Sequence, residues 1–325
     1  MKLPRRSFLR LAMGGAALLT VPHIVRAQSY PTRPVRVIVG FAPGGSADIV
    51  ARLIGQWLSE RLDQPFVIEN RPGSASNIAA DAVAKAPPDG YTLLCASVAN
   101  AINATIYDKV NFNFLDDIAP VAGVLRNPYV MEVNPSLPTK SVSEFIAYAR
   151  ANPTQVNMAS GGIGTGPHMA GELFNLMAGV RITHVTYRGT GPALTDLLGG
   201  QLQVMFDNLT SSVEHIRAGR LRALAVTTTA RSEVLPDTPT VGDFLPGYEA
   251  SSWVGICAPR RTPPEIIERL NKAINECLAS PTLKARLAGL GGTLLGGSSV
   301  DFGKLIADET EKWKKVTQAA NVKAE

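Results

Sequence analysis

The sequence has little that would support covalent or metal chemistry. Its three cysteines are Cys95, Cys257 and Cys277, and none of them stands in a CxxC or similar metal-ligand spacing. HExxH and GxSxG motifs are also missing. Because Cys95 and Cys257 lie in apolar, strand-like runs, we expect both to be buried side chains. The sequence therefore gives no sign of a metal site, a cofactor or an enzymatic mechanism.

Beyond its first 27 residues, the sequence has little net charge and no long apolar run. The segment "MKLPRRSFLRLAMGGAALLTVPHIVRA" joins basic residues to a short apolar stretch and a small-residue cleavage pattern, which is typical of an export signal cut after Ala27. Arg5 and Arg6 resemble a twin-arginine signal, and no apolar run reaches the ~20 residues of a membrane span. Five of the 32 basic residues lie in this leader, so the remaining chain is nearly neutral against its 27 acidic residues. We expect a periplasmic protein with no nucleic-acid partner.

Short β-branched runs alternate with segments of helical period from Pro34 onward. The pattern predicts an α/β protein in which helices flank mixed, mostly parallel sheets. Two such series, each with its own apolar strands and amphipathic helices, predict two lobes. We expect lobe 1 to be discontinuous, with residues 28–125 and 252–325, because the C-terminal helices are predicted to return to it. Lobe 2 is predicted to contain residues 126–251.

Two glycines follow the first strand-like run, in "FAPGGSADIVARLIGQWL" (residues 41–58). Such a turn directs the free amides and the positive dipole end of a helix into the adjacent crevice, where they stabilise a carboxylate or phosphate. A phosphate loop is disfavoured because no Gly-Lys-Ser/Thr follows and Pro43 removes one amide. The alternative is an ordinary tight turn in which Ser46 caps the helix and Asp48 complements its dipole.

A second glycine-rich turn lies in "ASGGIGTGPHMAGELF", residues 159–174. Its spacing misses the dinucleotide fingerprint GxGxxG, because Pro167 occupies the place of the third glycine. Backbone amides, Ser160 and Thr165 are candidates for binding an anion from the second lobe. The alternative is a flexible loop, which the glycine content fits equally well.

Further candidates follow other strand-like runs. Ser74 in "NRPGSASN" and Ser97 and Asn100 in "ASVANAIN" are predicted to lie at the same sheet edge as the first turn. Arg188 in "YRGTGPAL" is a candidate for binding a carboxylate through two parallel hydrogen bonds. Asp207 in "MFDNLTSS" lies at the end of a strand, at the predicted crevice. Helix capping, a solvated arginine and a turn aspartate are the alternatives.

The order and spacing of these segments, with "PRRTPPEIIERLN" near the C-terminus, resemble the tripartite tricarboxylate transporter substrate-binding proteins, the TctC or Bordetella-uptake-gene (Bug) family. The resemblance runs from Tyr30 to about Ala319. It implies a two-lobed periplasmic-binding-protein (Venus flytrap) fold that captures a small organic acid, unaltered, in the interlobe cleft. It also implies that the two glycine turns contact the ligand carboxylate from opposite lobes.

The resemblance assigns the ligand to particular positions. These are Phe41, Gly44, Gly45 and Asp48 on one side, Ser160, Gly161, Thr165 and His168 on the other, and Ser74, Ser97, Arg188, Gly189 and Asp207 from neighbouring loops. Ser46, Asn100 and Gly164 complete the predicted ligand-binding set. One departure bears on ligand identity: the family loop is glycine-rich after its Asn-Arg-Pro-Gly, whereas Ser74 and Ser76 stand here.

The predicted function is therefore a periplasmic solute receptor, not an enzyme, which closes on an acid by hinge motion. We expect a monomer that delivers its ligand to the permease subunits of a tripartite tricarboxylate-type membrane transporter. Two alternatives stay open. One is an exported enzyme acting on a carboxylated substrate, suggested by Asp48, His168 and Asp207 near the loops; the other is a ligand-sensing partner of a membrane sensor.

Overall fold

Helices and strands alternate along most of the chain. The computed structural model describes residues 30–107, 110–153, 155–319 and Val322, and the predicted export signal lies outside these residues. The strands are β1 (Val35–Val39), β2 (Phe66–Asn70), β3 (Thr92–Ser97), β4 (Ile118–Val133), β5 (Asn157–Ser160), β6 (Thr183–Thr186), β7 (Val204–Asn208), β8 (Arg222–Val226), β9 (Ser251–Pro259) and β10 (Thr293–Leu294). The helices are α1 (Ser46–Leu62), α2 (Asn77–Ala84), α3 (Val98–Ile106), α4 (Phe114–Asp117), α5 (Val142–Ala151), α6 (Gly166–Ala178), α7 (Thr190–Leu198), α8 (Leu209–Arg217), α9 (Pro264–Ala279), α10 (Pro281–Gly289) and α11 (Ser299–Ala319).

Two mixed sheets share the long strand β4. The first sheet has the order β2-β1-β3-β9-β4, with β10 also paired to β4, and the second has the order β4-β7-β5-β6, with β8 paired to β4. Strand β1 is parallel to β2 and β3, and β5 is parallel to β6 and β7. The pairs that involve β4 or β9 are antiparallel. The predicted α/β fold with two lobes is confirmed.

Strand β4 passes from one lobe into the other without a break. Its residues 118–128 pair with β9 of the first sheet, and its residues 129–133 pair with β7 of the second. The strand therefore crosses the position between residues 125 and 126 where the sequence predicted a lobe boundary. Backbone hydrogen bonds on both sides of this position join the lobes through continuous strand rather than through a loose linker.

Each lobe has its own apolar core. In the first, Trp253 of β9 packs edge-on against Phe302 of α11, with ring centroids 5.5 Å apart. In the second, Phe174 of α6 packs against Phe145 and Phe206 at centroid distances of 6.1 and 5.4 Å. Helices α9 and α11 contact β4, and α11 also contacts α3. The close packing fixes the strand ends and helix starts that surround the cleft.

The cysteines belong to the interior. Cys95, Cys257 and Cys277 are free and buried, which confirms the prediction for the first two. Burial raises the pKa of the Cys95 thiol to about 12, so this side chain is an unreactive neutral thiol at physiological pH. Within the described part of the chain, no helix has both the length and the apolar character that a membrane span needs.

Candidate ligand-binding site

A cavity lies between the lobes, where the two predicted glycine turns meet, and its empty space, counted together with its opening to solvent, is about 460 Å³. Its wall is built mainly from residues at the starts of five helices. These are residues 45–47 at α1, 97–99 at α3, 165–167 at α6, Thr190 at α7 and Asn208 at α8, and Phe41, Gly161, Ser252 and Val254 complete the wall. We call this space the inner cavity.

The inner cavity combines five helix N-termini with an uncharged wall. Among the described residues that line it, none is lysine, arginine, histidine, aspartate or glutamate. Each helix start has a partial positive charge and backbone amides without a partner inside the helix. Pro167 lacks an amide, and the amides of Ser97 and Thr165 already donate to the Asn100 side chain and the Gly162 carbonyl. The geometry therefore suits a small anion that is held by backbone donors.

Neutral hydrogen-bonding side chains line the same wall. Ser46, Ser97, Thr165, Thr190, Asn208 and Ser252 are each more than nine-tenths buried. Thr165 is committed to the protein, since its hydroxyl donates to the Gly162 carbonyl at 2.8 Å and accepts from the His168 amide at 3.4 Å. The side-chain oxygen of Asn208 is buried without a protein partner. Hydroxyl and amide groups therefore accompany the backbone donors.

Asn127, which is fully buried in β4, links the two lobes beside the inner cavity. Its Nδ2 donates to Ser46 Oγ at 2.8 Å, and its Oδ1 accepts from Thr210 Oγ1 at 2.7 Å. A second link crosses the cleft directly, from the Ala42 amide to the Arg188 carbonyl at 3.0 Å. These contacts hold the first turn, helix α1 and helix α8 together in a closed arrangement.

Eight of the predicted residues line the cleft. Those in the inner cavity are Phe41, Gly45, Ser46, Ser97, Gly161 and Thr165. Ser74 and Arg188 line a wider space of about 1080 Å³, open to solvent, which meets the inner cavity at Gly161. We call it the outer chamber. Among the described residues that line the outer chamber, Arg188 alone is charged, and it is exposed.

Asp48 and Gly44 lie behind the first turn rather than in the cavity wall. The Gly44 amide donates to Asp48 Oδ2 at 3.1 Å, and Arg52 pairs with both carboxylate oxygens. Burial alone would raise the pKa of Asp48, but the hydrogen bonds from Arg52, Asn70 and Gly44 outweigh it and lower the pKa below its ordinary value. Asp48 is thus an ionised support of the turn, since its oxygens are already occupied.

Ser160, Gly164 and His168 form the base of the second turn. The Gly164 amide donates to His168 Nδ1 at 3.2 Å, and Ser160 Oγ lies 2.6 Å from Nε2 of His184. The two imidazoles stack with centroids 4.1 Å apart. Burial, followed by repulsion from its neighbour, lowers the pKa of His168 to about 3, and burial lowers that of His184 to about 4. Both rings are therefore neutral supports of the glycine turn.

Asp207 lies beneath the cavity wall with a second buried carboxyl group, Glu132. The Ser212 hydroxyl stands between them, 2.9 Å from Asp207 Oδ2 and 2.7 Å from Glu132 Oε1. Burial raises the pKa of Asp207 to about 6 despite the hydrogen bonds that it accepts. Burial and the nearby Asp207 charge raise the pKa of Glu132 well above its ordinary value. Burial therefore favours the protonated form of both carboxyl groups relative to the same groups in water.

The last two predicted residues shape the backbone. Gly189 has a φ of +143°, and a Cβ there would lie 2.7 Å from the Ala42 amide nitrogen across the cleft. Asn100 accepts a hydrogen bond from the Ser97 amide at 3.0 Å and donates to Ser76 Oγ at 3.3 Å. Neither residue lines the inner cavity; both fix the position of residues that do.

Several wall residues were absent from the sequence prediction. Thr190 and Asn208 each follow a predicted residue by one position, and the helix-start rule would have selected them had the helix boundaries been known. Ser252 and Val254 lie on β9, which the sequence showed only as an apolar strand. No local signal marks these two, because the antiparallel insertion of β9 between β3 and β4 brings them to the cleft.

Comparisons with known proteins identify the family of this chain. The sequence profile of the TctC family, described as "Tripartite tricarboxylate transporter family receptor", matches residues 50–322. The chain belongs to the TctC family. It is 38% identical to Protein BugT of Bordetella pertussis over 302 residues, which cover 92% of this chain and 93% of BugT.

Two solved structures of similar proteins contain bound acids. Rpa4515 of R. palustris, with adipate, is 39% identical with a TM-score of 0.88, and the match covers 90% of this chain and 99% of that one. MatC (Rpa3494) from Rhodopseudomonas palustris, with malate, is 34% identical with a TM-score of 0.85, covering 88% and 99%. The periplasmic binding protein BugD is also similar, at 30% identity and a TM-score of 0.88, covering 91% and 100%. This TctC-family chain is therefore a substrate-binding receptor of a periplasmic type rather than an enzyme.

Proposed function

We propose that this TctC-family receptor captures a small carboxylate-bearing organic acid in the inner cavity. One observation carries the proposal: five helix N-termini point into the inner cavity, and none of the described residues that line it has a charged side chain. Such a wall attracts an anion without an arginine or lysine to neutralise it. The adipate and malate bound by Rpa4515 and MatC support a carboxylate as the anion.

The carboxylate would accept hydrogen bonds from both lobes at once. We assign the amides at residues 45–47 and those of Val98 and Ala99 to the first lobe, and the amide and hydroxyl of Thr190 to the second. Because the donors belong to separate lobes, the ligand is bound fully only when the cleft is closed. Ligand capture is thereby coupled to the hinge motion that a membrane partner reads.

The rest of the ligand would extend past Gly161 into the outer chamber. Arg188 offers the single charged group among the described residues there. An exposed guanidinium adds modest, salt-sensitive attraction for a second carboxylate. The proposed ligand class is therefore a short dicarboxylic acid, with a monocarboxylic acid bound through the inner cavity alone.

We further propose that the protein is exported through its twin-arginine leader, is cleaved after Ala27 and acts as a monomer in the periplasm. Its partner would be the permease subunits of a tripartite tricarboxylate-type transporter, which the family description supports. The near neutrality of the chain without its leader suits a receptor that diffuses freely in that compartment.

Calorimetric titration of the purified protein without its leader tests the proposal. The probes are adipate, malate and succinate, each matched with its uncharged diamide, which keeps the shape and removes the charge. We expect the acids to bind and the diamides to fail. A ligand at 100 times its dissociation constant should raise the free energy of unfolding by about 2.7 kcal/mol. Equal binding of acids and diamides, or no binding of any acid to protein that native mass spectrometry shows to be empty, would refute the proposal.

A further inference from the structure

Three consecutive residues after β2 adopt a conformation that side chains rarely take. Ser74, Ala75 and Ser76 have φ values of +45°, +47° and +82°. Glycine adopts this left-handed region readily, whereas residues with a Cβ are strained there. Strain of this kind persists only where the surrounding structure enforces it. We call these residues the strained turn.

Buried asparagines from α3 enforce this conformation. Asn103 Nδ2 donates to the Ala75 carbonyl at 2.6 Å and to Asn77 Oδ1 at 3.2 Å. Asn100 Nδ2 donates to Ser76 Oγ at 3.3 Å. Both asparagines are at most 2% exposed, so water does not compete for these bonds.

The strained turn is packed from below as well. Ser76 is fully buried against Gly40, and any Cβ at residue 40 would overlap the Ser76 hydroxyl. Gly40 directly precedes Phe41 of the inner cavity. The oxygen of the Asn100 side chain meanwhile accepts from the amide of Ser97, which also lines that cavity. The strained turn and the inner cavity are therefore built on one rigid set of contacts.

The exposed side of the strained turn faces the second lobe across the outer chamber. A methyl group placed on Gly162 would lie 3.6 Å from the Ala75 Cβ, so the Ala75 methyl already limits the gap. The Tyr107 hydroxyl donates to the Ile163 carbonyl at 3.2 Å and closes the same side of the cleft. Ala75, Gly162 and Ile163 all line the outer chamber, which adjoins the inner cavity at Gly161.

We propose that the strained turn limits the length of acid that the cleft accepts, and that Asn100 and Asn103 are positioning residues that hold it against Gly162. The inference rests on the proposed function, because it assumes that a ligand extends from the inner cavity into the outer chamber. It concerns the length of the ligand and not its charge, since every group in the strained turn and its asparagine support is neutral.

The first test compares the wild type with Ala75→Gly, which removes both the methyl group and the conformational strain. Dissociation constants are measured for succinate, glutarate, adipate, pimelate and suberate. We expect the variant to melt about 2–4 °C higher and the ratio of suberate to succinate affinity to rise at least fivefold. Ser74→Gly is the second variant and should shift the melting temperature in the same direction. An unchanged length profile, or a lower melting temperature in both variants, would overturn the inference.

The second test concerns the positioning role. Asn103→Ala should weaken binding of the preferred acid at least tenfold, and adding Ala75→Gly should restore most of that loss, because glycine keeps the left-handed conformation without support. Asn152→Ala, at the end of α5 in the second lobe, is the matched control and should leave binding unchanged. If Ala75→Gly does not restore the acid affinity that Asn103→Ala loses, Asn103 has only a general structural role, and the proposal is contradicted. Failure of the wild type to bind any acid would instead refute the proposed function.

Discussion

Replacing Gly191 with alanine should prevent the cleft from closing while both lobes stay folded. Gly191 is the second residue of α7, and a Cβ there would overlap the carbonyl oxygen of Pro43 in the first turn. The overlap arises only across the cleft, since the two residues belong to different lobes. Alanine is otherwise a favourable residue in a helix, so α7 itself should not be disturbed.

The size of the effect follows from the contacts that a blocked cleft loses. The turns must separate by more than about 1 Å to accommodate the methyl group, which breaks the hydrogen bond from Ala42 to Arg188. That bond contributes about 0.5–1.5 kcal/mol, and a donor from α7 to a charged ligand contributes about 1.5–3 kcal/mol. The combined loss of about 2–4.5 kcal/mol predicts a dissociation constant about 30-fold to 2000-fold higher.

Calorimetry with the preferred acid measures this change, and small-angle scattering with saturating ligand reports whether the lobes close. The matched control is Gly199→Ala at the other end of α7, where a Cβ meets nothing closer than 3.5 Å. We expect the control to bind like the wild type and both variants to melt within a few degrees of it. Wild-type affinity in Gly191→Ala would refute the closed arrangement of the two turns.

Four further predictions concern the interior, the cavity wall and the outer chamber. Because the pKa of Glu132 is raised in the folded protein, its contribution to stability is complete below the ordinary glutamate pKa near 4 and is lost as the pH rises. Glu132→Gln should therefore melt above the wild type at pH 8 but match it at pH 5. Because the pKa of His184 is lowered to about 4, the stability that depends on its neutral form is present above about pH 6.5 and is lost as the pH falls through about 4. In His184→Gln, the melting temperature should therefore fall less steeply as the pH is lowered. Thr190→Val should weaken acid binding about fivefold, for a lost hydrogen bond of ~1 kcal/mol, whereas Thr183→Val on the exposed face of β6 should not. Arg188→Gln should weaken dicarboxylate binding up to about fivefold at low salt and leave monocarboxylates unaffected; a loss that persists at high salt would contradict this role.

The sequence was most informative where glycine and proline constrain the backbone. The turns at Gly44–Gly45 and Gly161–Gly164 were recognisable because in each of them glycines stand between a strand-like run and a segment of helical period. The alternation of strand and helix patterns was likewise sufficient for the fold class. Such local signals depend on a few neighbouring residues, which a single sequence displays directly.

The side chains that face the cavity were harder to predict. Asp48, His168 and Asp207 are the ionisable residues that chemistry would favour, yet each is occupied by hydrogen bonds behind the wall. Thr190 and Asn208 line the wall instead. If a helix begins one residue earlier or later, a different side chain faces the cavity and its neighbour lies behind the wall. The exact start of each helix depends on tertiary packing. The placement of β9 depends on pairing between strands more than a hundred residues apart, for which periodicity offers no signal.

The uncharged wall of the inner cavity bears on how such a receptor changes its ligand over evolutionary time. In the proposed binding mode, attraction for an acid resides in the peptide backbone at five helix starts, which substitution of most side chains leaves in place. Mutations at the wall or in the strained turn can therefore alter the size and shape of the accepted acid without abolishing the capture of acids. A family that recognises charge with its main chain can diversify among ligands by small steps, each of which passes through a working receptor.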